Sequence, residues 1–372
     1  VKVSDSRVFI TGNLCFKVLF AVDQDPSRMD HLEGSVPLNE SINIRGSSTG
    51  DKICLRWDVE DLSIQLIHSR KINIRALLAF TAMQEQEKEL PLTTDLRKEG
   101  VSQKKEPVDV LRLHLHNRDT IRIRDTFILS SNKPDINEIV WDSLDIRGID
   151  VRTEEGRTIV KGEVFAFLLY DDNTDSDALQ WLEYSLPFQK ELPCEGCTQE
   201  MIPELDLTIL STALNVKPDS DGEERLIQVD ILMESDLKVY KEETLELLQD
   251  VYHPSCEMIP SIEHISVEQL LVKNYAKCRI QDRVNIEDGA GRILQICHSD
   301  GIVRIEESHA VEKGIQVEGY VQVNILYITG IDEMPFYSAE TAVPFSMLIE
   351  APGMDEDCKW YLHSDLEQLS TT

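Results

Sequence analysis

Residues 159–170 read IVKGEVFAFLLY, and this stretch decides the fold. One parity of the stretch holds the apolar side chains Val160, Val164, Ala166, Leu168 and Tyr170. The opposite parity begins with Lys161 and Glu163. Alternation with a period of two predicts a β-strand that is buried on one face and wetter on the other. Gly162 falls on the apolar parity, which indicates a bulge or a close approach of another backbone.

The same pattern occurs three times in the chain. Residues 9–20 read FITGNLCFKVLF, and residues 316–327 read QVEGYVQVNILY. Each copy carries a glycine, an aromatic residue eight positions later and a proline twenty-five positions later. These residues are Gly12, Phe20 and Pro37, then Gly162, Tyr170 and Pro187, then Gly319, Tyr327 and Pro344. Because the loops between them share almost no sequence, the equal spacings indicate tandem copies of one folding unit.

The repeat extends upstream of the glycine strand. A shift of 157 residues aligns Leu115 with Val272 and Arg122 with Arg279 without a gap. We therefore expect a partial repeat at 1–107 that lacks its opening third, a complete repeat at 108–264 and a partial repeat at 265–372. Both ends of the chain fall inside repeats, which predicts that it is a piece of a longer protein.

The rest of the chain also reads as β-structure. Further strand-like runs start at Lys71, Val110 and Arg225, whereas helical signal is limited to a few residues after Pro134. The proline of each repeat is expected to close a strand or to lie at a sheet edge, because proline cannot donate to a ladder. We expect a mainly β fold of tandem antiparallel domains of sandwich or barrel type.

Composition excludes several classes of partner. The 372 residues include 68 acidic and 37 basic side chains, for a formal net charge of −31, and 41% are hydrophobic. That apolar fraction is enough for real cores, so the acidity does not indicate disorder. So negative a surface repels phosphate groups, and we expect no nucleic-acid partner. No apolar run approaches the roughly 18–20 residues of a membrane helix, so we expect no membrane insertion, and no signal peptide is visible.

The eight cysteines predict free thiols rather than a disulfide framework. Under the 157-residue shift, Cys278 replaces Ile121 and Cys297 replaces Val140, so both cysteines are expected to be small buried hydrophobic residues. Free thiols favour a reducing compartment.

Two short motifs resemble halves of metal sites. Cys194 and Cys197 form one CEGC pair, but a zinc site needs a second pair or a histidine pair at defined spacing, and nothing in the sequence ties His114 or His116 to this loop. Residues 171–177, DDNTDSD, offer alternating carboxylates but lack the glycine and glutamate of a calcium loop. We expect ordinary loops at both places, with no metal and no cofactor.

No catalytic constellation emerges from the motifs. GxSxG, HExxH and phosphate-binding glycine loops are missing, and the nine histidines are scattered. The glycine-rich run DGAGR at 288–292 aligns with SNKPD of the sister copy, which predicts a turn. We therefore expect a protein that is not an enzyme.

One segment stands against the global charge. Six basic side chains share even parity opposite an apolar odd parity, and they are Arg112, His114, His116, Arg118, Arg122 and Arg124. In an extended chain they would line one face as a basic stripe, and Lys273, Lys277 and Arg279 keep the matching parity in the last copy. The stripe is either the solvated face of strands that discourages edge pairing or a docking surface for an acidic partner.

The middle copy resembles a known family. Lys133, Pro134 and Asp135, then the strand from Gly162 to Tyr170, then Pro187 and Phe188 are similar to the SPOCS-domain (SipL) family of spore-coat assembly proteins from endospore-forming anaerobes. The resemblance covers nearly the whole chain and rests on fold signatures. In the third copy DGAGRIL replaces the Pro-Asp motif, and the first copy shows only the later half. Family members usually end in a LysM module, of which this sequence shows none.

The resemblance implies a non-enzymatic assembly factor, made in the mother-cell cytoplasm and acting at the forespore surface or spore coat. Its partners would be other spore-coat or spore-morphogenesis proteins, with self-association through the repeats. Two alternatives stay open at this point. One is a secreted or surface carbohydrate-binding β-domain array, although Phe20, Tyr170 and Tyr327 lie on the apolar parity and look structural. The other is a self-assembling structural layer of the spore surface.

Overall fold

The computed structural model describes every residue except 23–24, 173–178, 265, 268, 286–291, 331–335 and 356. The mainly β class is confirmed, since the described residues form antiparallel sheets and contain no helix. The chain divides into two compact units, Val1–Leu92 and Thr93–Thr372. The predicted repeat boundaries at 107/108 and 264/265 stay a prediction.

The first unit contains two small antiparallel sheets. Its strands are β1 (Lys2–Ser4), β2 (Arg7–Val22), β3 (Asp25–Asn43), β4 (Ile53–His68) and β5 (Lys71–Gln84). One sheet has the order β1-β2-β3 and the other pairs β4 with β5. The expectation that Phe20 is structural is wrong, since its side chain is 41% exposed. The reason is that β1 pairs only with the first residues of β2, Arg7–Phe9, and does not extend to Phe20.

The middle of the second unit builds two three-stranded sheets around one core. Its strands are β6 (Ser102–Ile128), β7 (Glu138–Glu154), β8 (Arg157–Asp171), β9 (Gln180–Pro193), β10 (Ile202–Pro218) and β11 (Glu224–Tyr252). The sheet orders are β7-β8-β9 and β10-β11-β6. Val164 and Leu168 of β8, Ile231 of β11 and Ile123 of β6 belong to the same buried cluster. The alternating apolar parity of each strand therefore forms the core between the sheets.

The carboxyl-terminal half of β8 is buried on both faces, whereas Lys161 and Glu163 are exposed on the outer face, as the alternation predicts. Phe167 and Leu169 lie on the parity opposite the core residues, yet neither has any exposed surface. The ring of Phe167 stacks on His298 of the third repeat with centroids 3.9 Å apart, and His298 also pairs with Glu183 at 3.0 Å. The third repeat thus covers the part of the outer face of β8 around Phe167.

The third repeat contributes one sheet, ordered β12-β13-β14. Its strands are β12 (Ile293–Val311), β13 (Gly314–Thr329) and β14 (Phe336–Glu350). The upstream segment that aligns with β6 is not a strand in its described residues. Lys273 donates to the carbonyl of Pro203 and Lys277 pairs with Glu367, so the matching parity does not build a second basic face. In the middle repeat, by contrast, β6 forms its ladder with β11.

The expected close approach of another backbone is found at Gly319 but not at Gly12, where a Cβ would meet nothing within 4 Å. A Cβ on Gly162 would lie 2.7 Å from Cδ1 of Ile149, and one on Gly319 would overlap the carbonyl oxygen of Arg304, so both glycines permit close approach. The prolines lie in β3, β9 and β14, which are edge strands of their sheets. Tyr170 and Tyr327 are fully buried, as their parity predicts.

Candidate partner-binding face

Four of the six predicted basic residues form one ladder with acidic residues of β11. β6 and β11 run antiparallel, so Arg118 lies opposite Asp236 and Arg124 lies opposite Asp230. Side chains directly opposite one another point to the same face of a sheet. We define the charge ladder as His116, Arg118, Arg122 and Arg124 of β6 together with Asp230 and Asp236 of β11.

At one end of the charge ladder, two arginines share a single aspartate. Arg122 donates to both carboxylate oxygens of Asp230, with Nε–Oδ1 at 2.8 Å and Nη2–Oδ2 at 2.6 Å. Nη2 of Arg124 donates to the same Oδ2 at 2.7 Å. Hydrogen bonds from Arg122 and then Arg124 hold the pKa of Asp230 far below its usual range. Both guanidinium groups stay more than half exposed, so they remain accessible on the face.

At the other end, Asp236 bridges an imidazole and a guanidinium. His116 Nε2 lies 2.8 Å from Oδ1, and Arg118 Nε donates to Oδ2 at 2.7 Å. Burial alone would raise the pKa of Asp236, but hydrogen bonds from Arg118 and His116 bring it below the ordinary value. The stripe is therefore a row of intramolecular ion pairs rather than a set of unpaired positive charges.

Arg112 and His114 do not lie on this face, which corrects the expectation of one continuous stripe. The register changes between Val239, which faces Leu115, and Tyr240, which faces Leu113. His114 is thus an extra residue in β6, and every residue before it changes face. Arg112 pairs with Glu243 at 3.3 Å. His114 Nε2 lies 2.9 Å from the carbonyl oxygen of Glu195 in the CEGC turn.

The acidic half of the charge ladder was missed by sequence reasoning. Arg118 and Arg124 are six residues apart, and so are Asp230 and Asp236. Matching spacings of opposite charge on two strand-like runs are typical of paired neighbours in a sheet. This matching spacing is the feature of the sequence that indicates the pairing of the two arginines with the two aspartates.

The Lys-Pro-Asp segment is a structural clasp. Arg225, at the start of β11, donates to the carbonyls of Ser130 at 2.8 Å and Lys133 at 3.0 Å and pairs with Asp135. The hydroxyl of Tyr170 donates to the carbonyl of Pro134 at 3.2 Å. Burial, followed by the negative charge of Asp172, raises the pKa of this hydroxyl to about 12, so it stays a donor at physiological pH. The clasp fixes the turn between the two sheets.

The structure changes the prediction for the cysteines. Cys194 and Cys197 are bonded to each other, while the other cysteines of the chain are free. Cys297 is buried as predicted, and burial raises the pKa of its thiol to about 12. Cys278 is exposed, contrary to prediction, because its segment does not form the strand that buries Ile121.

The two remaining loop predictions lie largely outside the described residues. Most of the Asp-rich loop falls at 173–178 and most of the DGAGR run falls at 286–291.

A sequence model of a protein family, described as "SipL, SPOCS domain", matches residues 1–67, 135–217 and 292–372. The chain belongs to the SipL SPOCS-domain family. Each matched stretch of this SPOCS-domain protein contains one glycine strand, β2, β8 or β13. Comparisons with curated proteins and with solved structures gave no match. Within the described part of the SPOCS-domain chain, no helix has the length and apolarity to cross a membrane.

Acid unfolding should reveal opposite roles for two aspartates. Because the pKa of Asp230 is lowered by folding, its stabilising contribution is present above the ordinary aspartate pKa of 3.8 and is lost below it. Burial, and then Asp145, raise the pKa of Asp300, so its carboxylate opposes folding at neutral pH and ceases to do so in acid. We expect Asp230→Asn to be less stable than the parent chain at pH 6 and Asp300→Asn to be more stable.

The measurement is chemical denaturation from about pH 6 to pH 2, over which both variants should converge on the parent as carboxylates protonate. Parallel stability curves for Asp230→Asn and the parent would contradict the role given to the ion pairs.

Proposed function

We propose that this SPOCS-domain chain is a non-enzymatic assembly factor of the bacterial endospore coat. It acts by binding other spore-coat or spore-morphogenesis proteins, in the mother-cell cytoplasm at the forespore surface. The observation that carries the proposal is the family match over three separate stretches, each of which contains one copy of the repeated β-strand unit.

Repetition supports a scaffold role. Once one repeat is bound, a partner with several copies of its own site meets the next repeat at high effective concentration. Avidity of this kind needs no strong single contact, and it suits assembly of a layer from many weakly associating proteins. Self-association through the same repeats would gain from the same increase in effective concentration.

The charge ladder is the surface that we assign to oriented docking. Its arginines are exposed, while their aspartates are mostly covered, so the face shows ordered guanidinium groups to a partner. Guanidinium groups held by carboxylates lose little rotamer freedom when they bind a further acceptor. Ordered charge of this kind gives orientation and association rate more than raw affinity.

Inverting the sign pattern of the ladder tests this assignment. The triple variant carries Arg122→Asp, Arg124→Asp and Asp230→Arg. It replaces two positive charges around one negative charge with two negative charges around one positive charge, so the three side chains still attract one another. We expect a fluorescent fusion of this triple variant to lose most of its accumulation at the forespore in sporulating cells, because the docking charges repel the partner. Imaging in a host that lacks its own copy of the gene measures the effect.

A matched control exists on the other sheet. Arg157 pairs with Glu154 at 2.8 Å and with Glu191 at 2.9 Å, again one charge against two. The corresponding swap of these three charges should leave localisation intact. Loss of localisation in both swaps, or in neither, would show that the charge ladder is not the docking surface. A parent fusion that stays diffuse in the cell would contradict the assignment to the spore coat itself.

A further inference from the structure

The CEGC turn is anchored in the core of the middle repeat. Cys197 N donates to the carbonyl of Cys194 at 3.1 Å, and Gly156 of the β7–β8 hairpin exchanges hydrogen bonds with both cysteines at 3.0 and 3.1 Å. Gly196 has a φ of +74°, which a side chain would strain. Both cysteines are buried in the core cluster. Their sulfur atoms are therefore held in fixed positions by the backbone.

His114 completes a three-residue cluster with this pair. As the extra residue of β6, it leaves the charge ladder and points to the turn, where its ring would lie 3.4 Å from a Cβ on Gly196. One ligand atom from each of His114, Cys194 and Cys197 lies within 4.8 Å of the other two. The two sulfur atoms are bonded to each other in the structure. Once that bond is reduced, two thiols and an imidazole on this scaffold match a tetrahedral metal site with three protein ligands.

The other repeats keep the turn without these side chains. In the third repeat the equivalent positions are Ala351 and Met354, with Gly353 at a φ of +88° and Met354 N 3.4 Å from the carbonyl of Ala351. Leu271, the counterpart of His114, contacts this turn in the same way, 3.5 Å from a Cβ on Gly353. All three ligand types are thus replaced together by apolar residues.

The first repeat gives the same result. Ile44 and Ser47 stand at the cysteine positions, Gly46 has a φ of +83°, and Ser47 N donates to the carbonyl of Ile44 at 3.3 Å. The turn therefore needs neither cysteine to form. The two cysteines are thus specific to the middle repeat, and the histidine is replaced in the third repeat.

We propose that, in the reduced protein, Cys194, Cys197 and His114 bind one thiophilic divalent cation, with zinc as the occupant in the cell. Thiolate and imidazole ligands select zinc over magnesium or calcium. A dithiol reductant supplies the two electrons and two protons that convert the Cys194–Cys197 bond into two thiols, and is itself oxidised to a disulfide. Metal binding then replaces the two thiol protons with two metal–sulfur bonds and releases both protons to solvent. Water or a partner's side chain takes the fourth position. The site goes beyond the proposed scaffold role and does not depend on it.

The probe is cobalt, added without oxygen to chain that has been reduced with a phosphine. We expect one equivalent to give a thiolate-to-cobalt charge-transfer band and the visible bands of tetrahedral cobalt, and zinc to bleach both. Cys194→Ala with Cys197→Met, which copies the third repeat, should abolish the bands while the turn persists. His114→Leu should weaken binding by at least about tenfold and shift the visible bands.

His116→Gln is the matched control, because His116 lies two residues away in β6 and contacts Asp236 instead of the cysteines. Its titration should equal that of the parent chain. Absent thiolate bands in the reduced parent, bands that survive in the Cys194/Cys197 variant, or a His114→Leu titration equal to the parent's would each overturn the site. So would a Cys194–Cys197 bond that resists the phosphine.

Discussion

Replacing Phe167 with alanine should lower the free energy of unfolding by about 3–5 kcal/mol, the cost of removing a large aromatic side chain from a packed interior. Phe167 has no exposed surface, although it lies on the face of β8 that points away from the core of the middle repeat. Its ring stacks on His298 at a centroid distance of 3.9 Å and an interplanar angle of 13°. The substitution therefore removes packing between two repeats rather than within one.

Hydrogen exchange resolved by strand is the measurement that separates these two kinds of loss. We expect the amides of β12 and β13 to lose more protection in Phe167→Ala than those of β6 and β11, because the third repeat loses its packing against β8. Leu210→Ala is the control, since Leu210 belongs to β10 and is 51% exposed. It should change stability by less than about 0.5 kcal/mol. Equal protection of β12 in Phe167→Ala and the parent would show that β8 does not support the third repeat.

The burial of both faces in the carboxyl-terminal half of β8 shows where sequence reasoning reaches its limit. Alternation identified the strand and its core parity correctly, because that parity packs within the same repeat. Burial of the second face depends on His298, which lies more than a hundred residues later. The apolar run from Val164 to Tyr170 carried a signal of this, since strands covered on both sides read as nearly continuous hydrophobic runs.

The candidate face shows a different limit. Parity placed His116, Arg118, Arg122 and Arg124 on one face, and the register with β11 agrees. Because His114 is an extra residue in β6, Arg112 lies on the opposite face of the sheet and His114 contacts the turn that holds the two cysteines. The position of a bulge depends on the partner strand and on the turn that the bulge contacts, so the alternation of residues within one strand does not reveal it.

Alanine at the three repeat glycines should give three different results at equivalent positions. At Gly319 the new Cβ would overlap the carbonyl oxygen of Arg304 and lie 3.0 Å from Cα of Ile305. Both are backbone atoms of β12, beside the register shift between Ile305 and Glu307. The strands must separate there, so we expect a loss of about 3 kcal/mol, the upper part of the usual range for overpacking.

At Gly162 the Cβ would meet only the ends of side chains, Cδ1 of Ile149 at 2.7 Å and Cζ of Phe188 at 2.9 Å. These groups can move, and we expect a loss of about 1 kcal/mol. At Gly12 nothing lies within 4 Å, so Gly12→Ala should stabilise its own sheet by roughly 0.5 kcal/mol through the unfolded chain.

Strand-resolved hydrogen exchange measures each variant in its own repeat, which keeps the comparison independent of differences in total stability. The order Gly319→Ala, Gly162→Ala, Gly12→Ala, from most to least destabilising, follows from what each Cβ meets and not from the shared sequence motif. Equal losses at all three positions would mean that the motif requires glycine for its backbone conformation. The glycine spacing shared by the three repeats would then result from the backbone conformation of the glycine strand, and not from close packing against a neighbouring strand.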